Sequence, residues 1–88
     1  MKNDSRYYRT SHFNLACFLY AKGIAIANID KLSNTKRADF VFVSSPEVEE
    51  LAHTFSFAKD NDKTVMIDAR KLIYSIKNLK EKLYQDNF

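Results

Sequence analysis

The apolar positions of this 88-residue chain change period from segment to segment, and each period predicts an element. Residues 1–9 are polar and charged and end in RYYR. Thr10 and Ser11 offer N-caps for a helix from about His12 to Lys22, with Gly23 placed as the left-handed residue that ends it. At about 100° per residue, Phe13, Ala16, Cys17 and Tyr20 fall on one side of that helix and Leu15, Phe18 and Leu19 on another. A surface helix carries a polar face and this one has almost none. It is therefore expected to be central, covered on two sides or by a partner chain.

IAIANID (24–30) and ADFVFVS (38–44) are rich in β-branched and aromatic residues, and the polar KLSNTKR between them reads as a turn, which predicts an antiparallel hairpin. Phe40 and Phe42 point one way from the second strand and Val41 and Val43 the other, so both faces are expected to pack on something. SSPEVEELAHTF (44–55) opens a helix with Ser45 as N-cap, Pro46 at the first helical position and three glutamates near the positive end of the dipole. Its apolar stripe is Val48, Leu51, Ala52 and Phe55. AKDNDK (58–63) is a loop, and TVMI (64–67) is a candidate third strand. Asp68 caps a last helix reaching about Tyr84. On that helix Ala69, Leu72, Ile73, Ile76, Leu79 and Leu83 form a continuous stripe, interrupted by Lys80.

These elements predict an α+β fold: an antiparallel β-hairpin, with 64–67 as a third short strand, packed with three helices in the order helix, strand, strand, helix, (strand), helix. Residues 1–9 form a polar N-terminal segment that can serve as a short edge strand, and 10–88 form a single compact domain. One Gly and one Pro leave no flexible linker, while 45% hydrophobic residues, with seven Phe and five Tyr, suffice for a core.

Three features taken together, RYYRTSHFNLACFLYAKGI (6–24), the strand ADFVFVSS followed by a helix, and IDARKLIYSIKNLKEKLY (67–84), resemble domain-of-unknown-function family 5659, a small bacterial and phage family. The resemblance spans most of residues 7–84. It rests on the aromatic entry to the first helix, the LYAKG helix exit, the alternating strand, and Leu79, Lys80, Leu83 and Tyr84 in the closing helix. It implies a small compact α+β domain and supplies no catalytic residues.

Fourteen Lys/Arg against eleven Asp/Glu give a net charge of +3, weaker than the clustered basicity of dedicated nucleic-acid binders. The charge is polarised, with an acidic second helix and basic ends. A lone cysteine, Cys17, allows neither an internal disulfide nor a multi-cysteine zinc site and fits a cytoplasmic protein. Arg6 and Arg9 before FNLACFLYA (13–21), with AIA at 25–27, imitate a secretory leader, but Asn14 and Lys22 interrupt or bound the run, which reads as a helix. No run approaches the about 20 apolar residues of a membrane span.

Cys17 lies mid-helix among apolar neighbours and reads as a structural thiol, and His12 reads as a solvated side chain. DNDK (60–63) opens like a calcium loop, but Val65 and Lys71 stand where Gly and Glu are needed. No cofactor or metal is expected, and an enzyme built around Cys17 or His12 is the disfavoured reading. The favoured reading is a non-enzymatic interaction module that associates with itself or with a protein partner. The alternative is a nucleic-acid-binding accessory protein using Arg6, Tyr7, Tyr8 and Arg9 with Lys36, Arg37 and the last helix. The basic residues of that helix divide, Arg70 and Lys77 on one flank and Lys71 and Lys82 on the other, whereas recognition in a groove requires one shared side. Lys80 either snorkels outward or meets a partner carboxylate. Tyr84 and Phe88 continue the apolar side past the domain body and are candidate contacts.

Overall fold

The computed structural model describes residues 6–31 and 38–84. Three strands, β1 (Tyr7–Thr10), β2 (Ile26–Lys31) and β3 (Ala38–Val43), combine with three helices, α1 (Phe13–Ala21), α2 (Pro46–Phe57) and α3 (Ala69–Leu83). The fold is α+β, as the segment pattern predicts. The sheet order is β1-β3-β2, with β3 antiparallel to both neighbours. Strands β1 and β2 are therefore parallel to each other, joined across one face by α1, and β3 fills the gap between them as in a split βαβ unit.

The third strand is not 64–67. Lys63–Val65 is a single 3-10 turn, because the Asp62 carboxylate accepts the Thr64 N–H at 2.8 Å and its carbonyl accepts the Val65 N–H at 3.1 Å. Pairing of Tyr7 with Val43 through Thr10 with Phe40 instead makes Tyr7–Thr10, at the end of the polar N-terminal segment, the sheet's other edge strand. Between β2 and β3, Ile26 pairs with Phe42 but Asn28 with Val41, so one extra residue bulges out of β2. The bulge resets the side-chain alternation. Ile26 and Ile29, three apart, consequently both reach the helix-covered face opposite Phe42 and Phe40.

Helix α1 is covered by its own chain: Leu15, Ala16, Cys17, Phe18 and Leu19 are all buried, between the sheet and the other two helices. It begins at His12 without a side-chain cap and ends in a hydrogen-bonded Schellman turn. There the Ile24 N–H donates to Leu19 O (3.1 Å), the Gly23 N–H donates to Tyr20 O (3.0 Å), and Gly23 sits at φ +95°. Helix α2 starts as its sequence dictates, with Ser45 Oγ accepting the Val48 N–H at 3.2 Å.

The buried side of α3 is rotated from the stripe the apolar residues suggest. Leu79 is fully buried and Ser75 is 2% exposed, whereas Ile73 is 64% exposed. Ser75 Oγ donates to Lys71 O at 2.8 Å, so this small side chain enters the packed face with its polar atom satisfied. With the arc centred between Leu72 and Leu79, Lys80 lies at the margin, about 80° from Leu72, next to Ile73. The interruption of the stripe disappears.

Candidate functional site

Three surfaces carry the chemistry this fold displays. The first is the open face of the sheet, where Tyr7, Arg9, Asn28, Asp30, Asp39, Val41 and Val43 project by alternation from the helix-facing residues. Arg9 stands on β1, and its Nη2 lies 2.6 Å from Asp30 Oδ2 on β2 and 3.3 Å from Asp39 Oδ2 on β3. The side chain thus spans the central strand at its paired residue Val41, which is only 5% exposed on a face that no helix covers. Arg9 and its two carboxylates thus lie on the outer face of the sheet at the level of Val41, while Val43 on the same face stays 49% exposed. The hydrogen bond to Asp30, then that to Asp39, hold the guanidinium more firmly protonated than usual. Arg6 stacks over Tyr7 at 5.7 Å, and burial followed by the charge of Glu49 raises the Tyr8 phenol.

The second surface is a groove of about 270 Å³ bounded by α1, α2, the 3-10 turn and α3. Phe18, Phe55, Val65, Ile67, Leu72 and Ile76 wall it, and Cys17 reaches its floor. Phe55 stacks on Phe18 with ring centroids 4.8 Å apart yet stays 37% exposed. Met66 and Ile73, adjacent in sequence to wall residues, are 51% and 64% exposed. Lys22 Nζ sits 5.6 Å from the Phe18 ring centroid and donates to Met66 O at 3.4 Å, pinning the turn against α1. Burial pushes the Cys17 thiol up to about 11, partly offset by the charge of Lys80, which leaves it a weak nucleophile at neutral pH.

The third surface is a cleft of about 310 Å³ at the far end of α3, lined by Ser11, Phe13, Ala38, Phe40, Lys80, Leu83 and Tyr84. Phe13 and Phe40 meet there with centroids 5.8 Å apart. Since Phe13 lies beside Leu83 here while Phe18 lies beside Leu72 in the groove, α1 and α3 run antiparallel.

The residues singled out in the sequence therefore separate. Lys80 and Tyr84 share the cleft, Arg9 and Tyr7 lie on the open sheet face, and Tyr8 points to the helix side opposite Phe42. Lys36, Arg37 and Phe88 lie outside the described residues. His12 is exposed at the start of α1, and His53 stacks on Phe57 at 4.8 Å. Among the described residues, no three His, Cys, Asp or Glu side chains gather as a metal would require. No helix among them is long and apolar enough to cross a membrane. The groove is new, and the cleft had two traces in the sequence, Lys80 breaking an apolar stripe and Tyr84 continuing past it.

A family model described as Domain of unknown function (DUF5659) matches residues 5–85. No curated protein matches the chain, and no solved structure does.

Proposed function

The chain belongs to the DUF5659 family, whose model spans residues 5–85, and from the surface of this member we propose a small, non-enzymatic, cytoplasmic interaction module that self-associates. The observation that carries the reading is the apolar groove between the helices, walled by Phe18, Phe55, Val65, Ile67, Leu72 and Ile76, with Phe55 37% exposed and the exposed Met66 and Ile73 next in sequence to wall residues. Phe55 forms the wall of a cavity that reaches the buried Cys17 and Phe18, so a second surface placed there extends existing packing. Phe55 stands on α2, Ile73 on α3, and Met66 follows the 3-10 turn between them. The edges of the sheet support the reading less: β2 carries a bulge and ends at Asp30 and Lys31, and β1 is four residues long.

Nucleic-acid binding is the weaker alternative, since Arg9 is engaged by Asp30 and Asp39 and the cations of α3 stay divided between two flanks. Sedimentation velocity over a range up to high micromolar concentration tests the module. Concentration-dependent dimerisation that Ile73→Asp abolishes is expected. A single monomeric species at every concentration removes the self-association.

A further inference from the structure

The cleft at the end of α3 is chemically unlike the groove. Phe13, Phe40 and Leu83 give it an apolar lining, Tyr84 stands 71% exposed at its side, and Lys80 lines it with no carboxylate partner among the described residues. An ammonium beside aromatic walls and without a counter-charge attracts an anion, and the electrostatic part of the attraction strengthens where those walls exclude water.

Backbone parity adds a second element. The Ser44 N–H donates to Arg6 O at 2.8 Å, so the even-numbered residues of β3 direct their N–H and C=O groups toward β1, while the Val43 N–H donates to Ala25 O on the other side. Strand β1 stops at Thr10, opposite Phe40. Ala38, the next even residue, therefore directs its peptide groups beyond the end of β1, on the side where the cleft opens.

An apolar cleft, a cation with no carboxylate partner among the described residues and the peptide groups of Ala38 directed past the end of β1 are matched together by an extended polypeptide. At about 310 Å³ the cleft holds one large side chain and lies at the lower limit for a small-molecule pocket, which favours a peptide over a free metabolite. We propose that this cleft binds a short extended segment of a partner protein, in which one aromatic or leucine side chain fills the space against Phe13 and Phe40 and a neighbouring carboxylate pairs with Lys80. This site is separate from the groove and does not rest on self-association.

Fluorescence anisotropy with a labelled, N-acetylated and C-amidated peptide Gly-Ser-Phe-Glu-Asp-Ser-Gly tests it on the full chain. Its twins carry Gln-Asn for Glu-Asp, or Ser for Phe. Saturable binding is expected, weakened about five- to tenfold by either twin or by Lys80→Gln and retained by Lys80→Arg. Lys80 is exposed, so neither substitution threatens folding. The proposal is overturned by equal affinity for the uncharged twin, by unchanged affinity in Lys80→Gln, or by no binding. It is also overturned if Asp86→Asn combined with Phe88→Ala tightens peptide binding, because the chain's own tail is then the occupant. Retention of peptide binding in Ile73→Asp separates this site from the groove.

Discussion

Leu79 and Ile73 provide the sharpest test of how α3 is docked. Both are aliphatic, both lie in one helix, and periodicity alone assigns both to the core. Leu79 is fully buried, whereas Ile73 keeps 64% of its surface. Truncating Leu79 to Ala removes three carbons from α3 and leaves a hole in the buried cluster to which Cys17 of α1 and Phe40 of β3 also belong. Sites that collapse poorly cost about 3–4 kcal/mol on such a truncation. A chain of this length has a total stability of about 4–13 kcal/mol, so Leu79→Ala removes a quarter or more of it. It should lower Tm by at least about 10 °C. Ile73→Ala loses little buried surface and should stay within about 0.5 kcal/mol of the parent. Urea denaturation followed by circular dichroism, under conditions where the parent is monomeric, measures both. Equal costs at the two positions would refute the rotated docking of α3.

Other consequences follow from single groups. Cys17, with its thiol raised to about 11, should have a thiolate fraction at pH 8 about 100-fold below that of an ordinary thiol, so a thiol reagent should label unfolded chain long before folded chain. Because the folded thiol holds its proton more tightly, its contribution to stability is complete below the ordinary value of 9.0 and is lost as pH rises toward 11. A urea series from pH 8 to 11 should show a decline that Cys17→Ala lacks. Asp68 accepts the Arg70 N–H at 2.8 Å, and that bond, then the Arg70 side chain, holds its pKa below the ordinary 3.8. Its contribution is therefore present above pH 3.8 and lost as pH falls through the lower folded value. Asp68→Asn should flatten that part of an acid titration of stability. Gly23→Ala meets no atom within 4 Å but must adopt φ +95°, so it should cost about 1 kcal/mol, with Asn costing less, by denaturant titration.

The sequence was most legible where structure is set by neighbouring atoms. Ser45 followed by Pro46 starts α2, Asp68 starts α3 and Gly23 ends α1, and each does so through bonds within a few residues of itself. Strand β1 was harder, since four residues carry little periodicity and their partners lie 30 or more positions away. TVMI has strand-forming residues, yet the Asp62 side chain closes a turn over them. In β2 the bulge breaks the parity from which a face would be assigned. The completeness with which one chain buries α1 depends on how the sheet and two helices converge, which no single segment records. The cleft has the same origin: Phe13, Phe40 and Lys80 belong to three separate elements, and only Lys80 stood out beforehand.

The sheet order also dictates a timetable. Strands β1 and β2 frame a vacancy one strand wide, and the strand that fills it comes last of the three in the chain. Until residues 38–43 arrive, Tyr7–Thr10 has no ladder to join. Residues 26–31 and 38–43, separated by only six residues in the chain, can pair early. The amino-terminal strand is then a late addition, annealed along a finished hairpin and locked when Arg9 reaches Asp30 and Asp39. In kinetic experiments, truncations at Tyr7 or Arg9 should therefore quicken unfolding and leave the refolding rate nearly unchanged, whereas truncations at Ile29 or Phe40 should slow refolding.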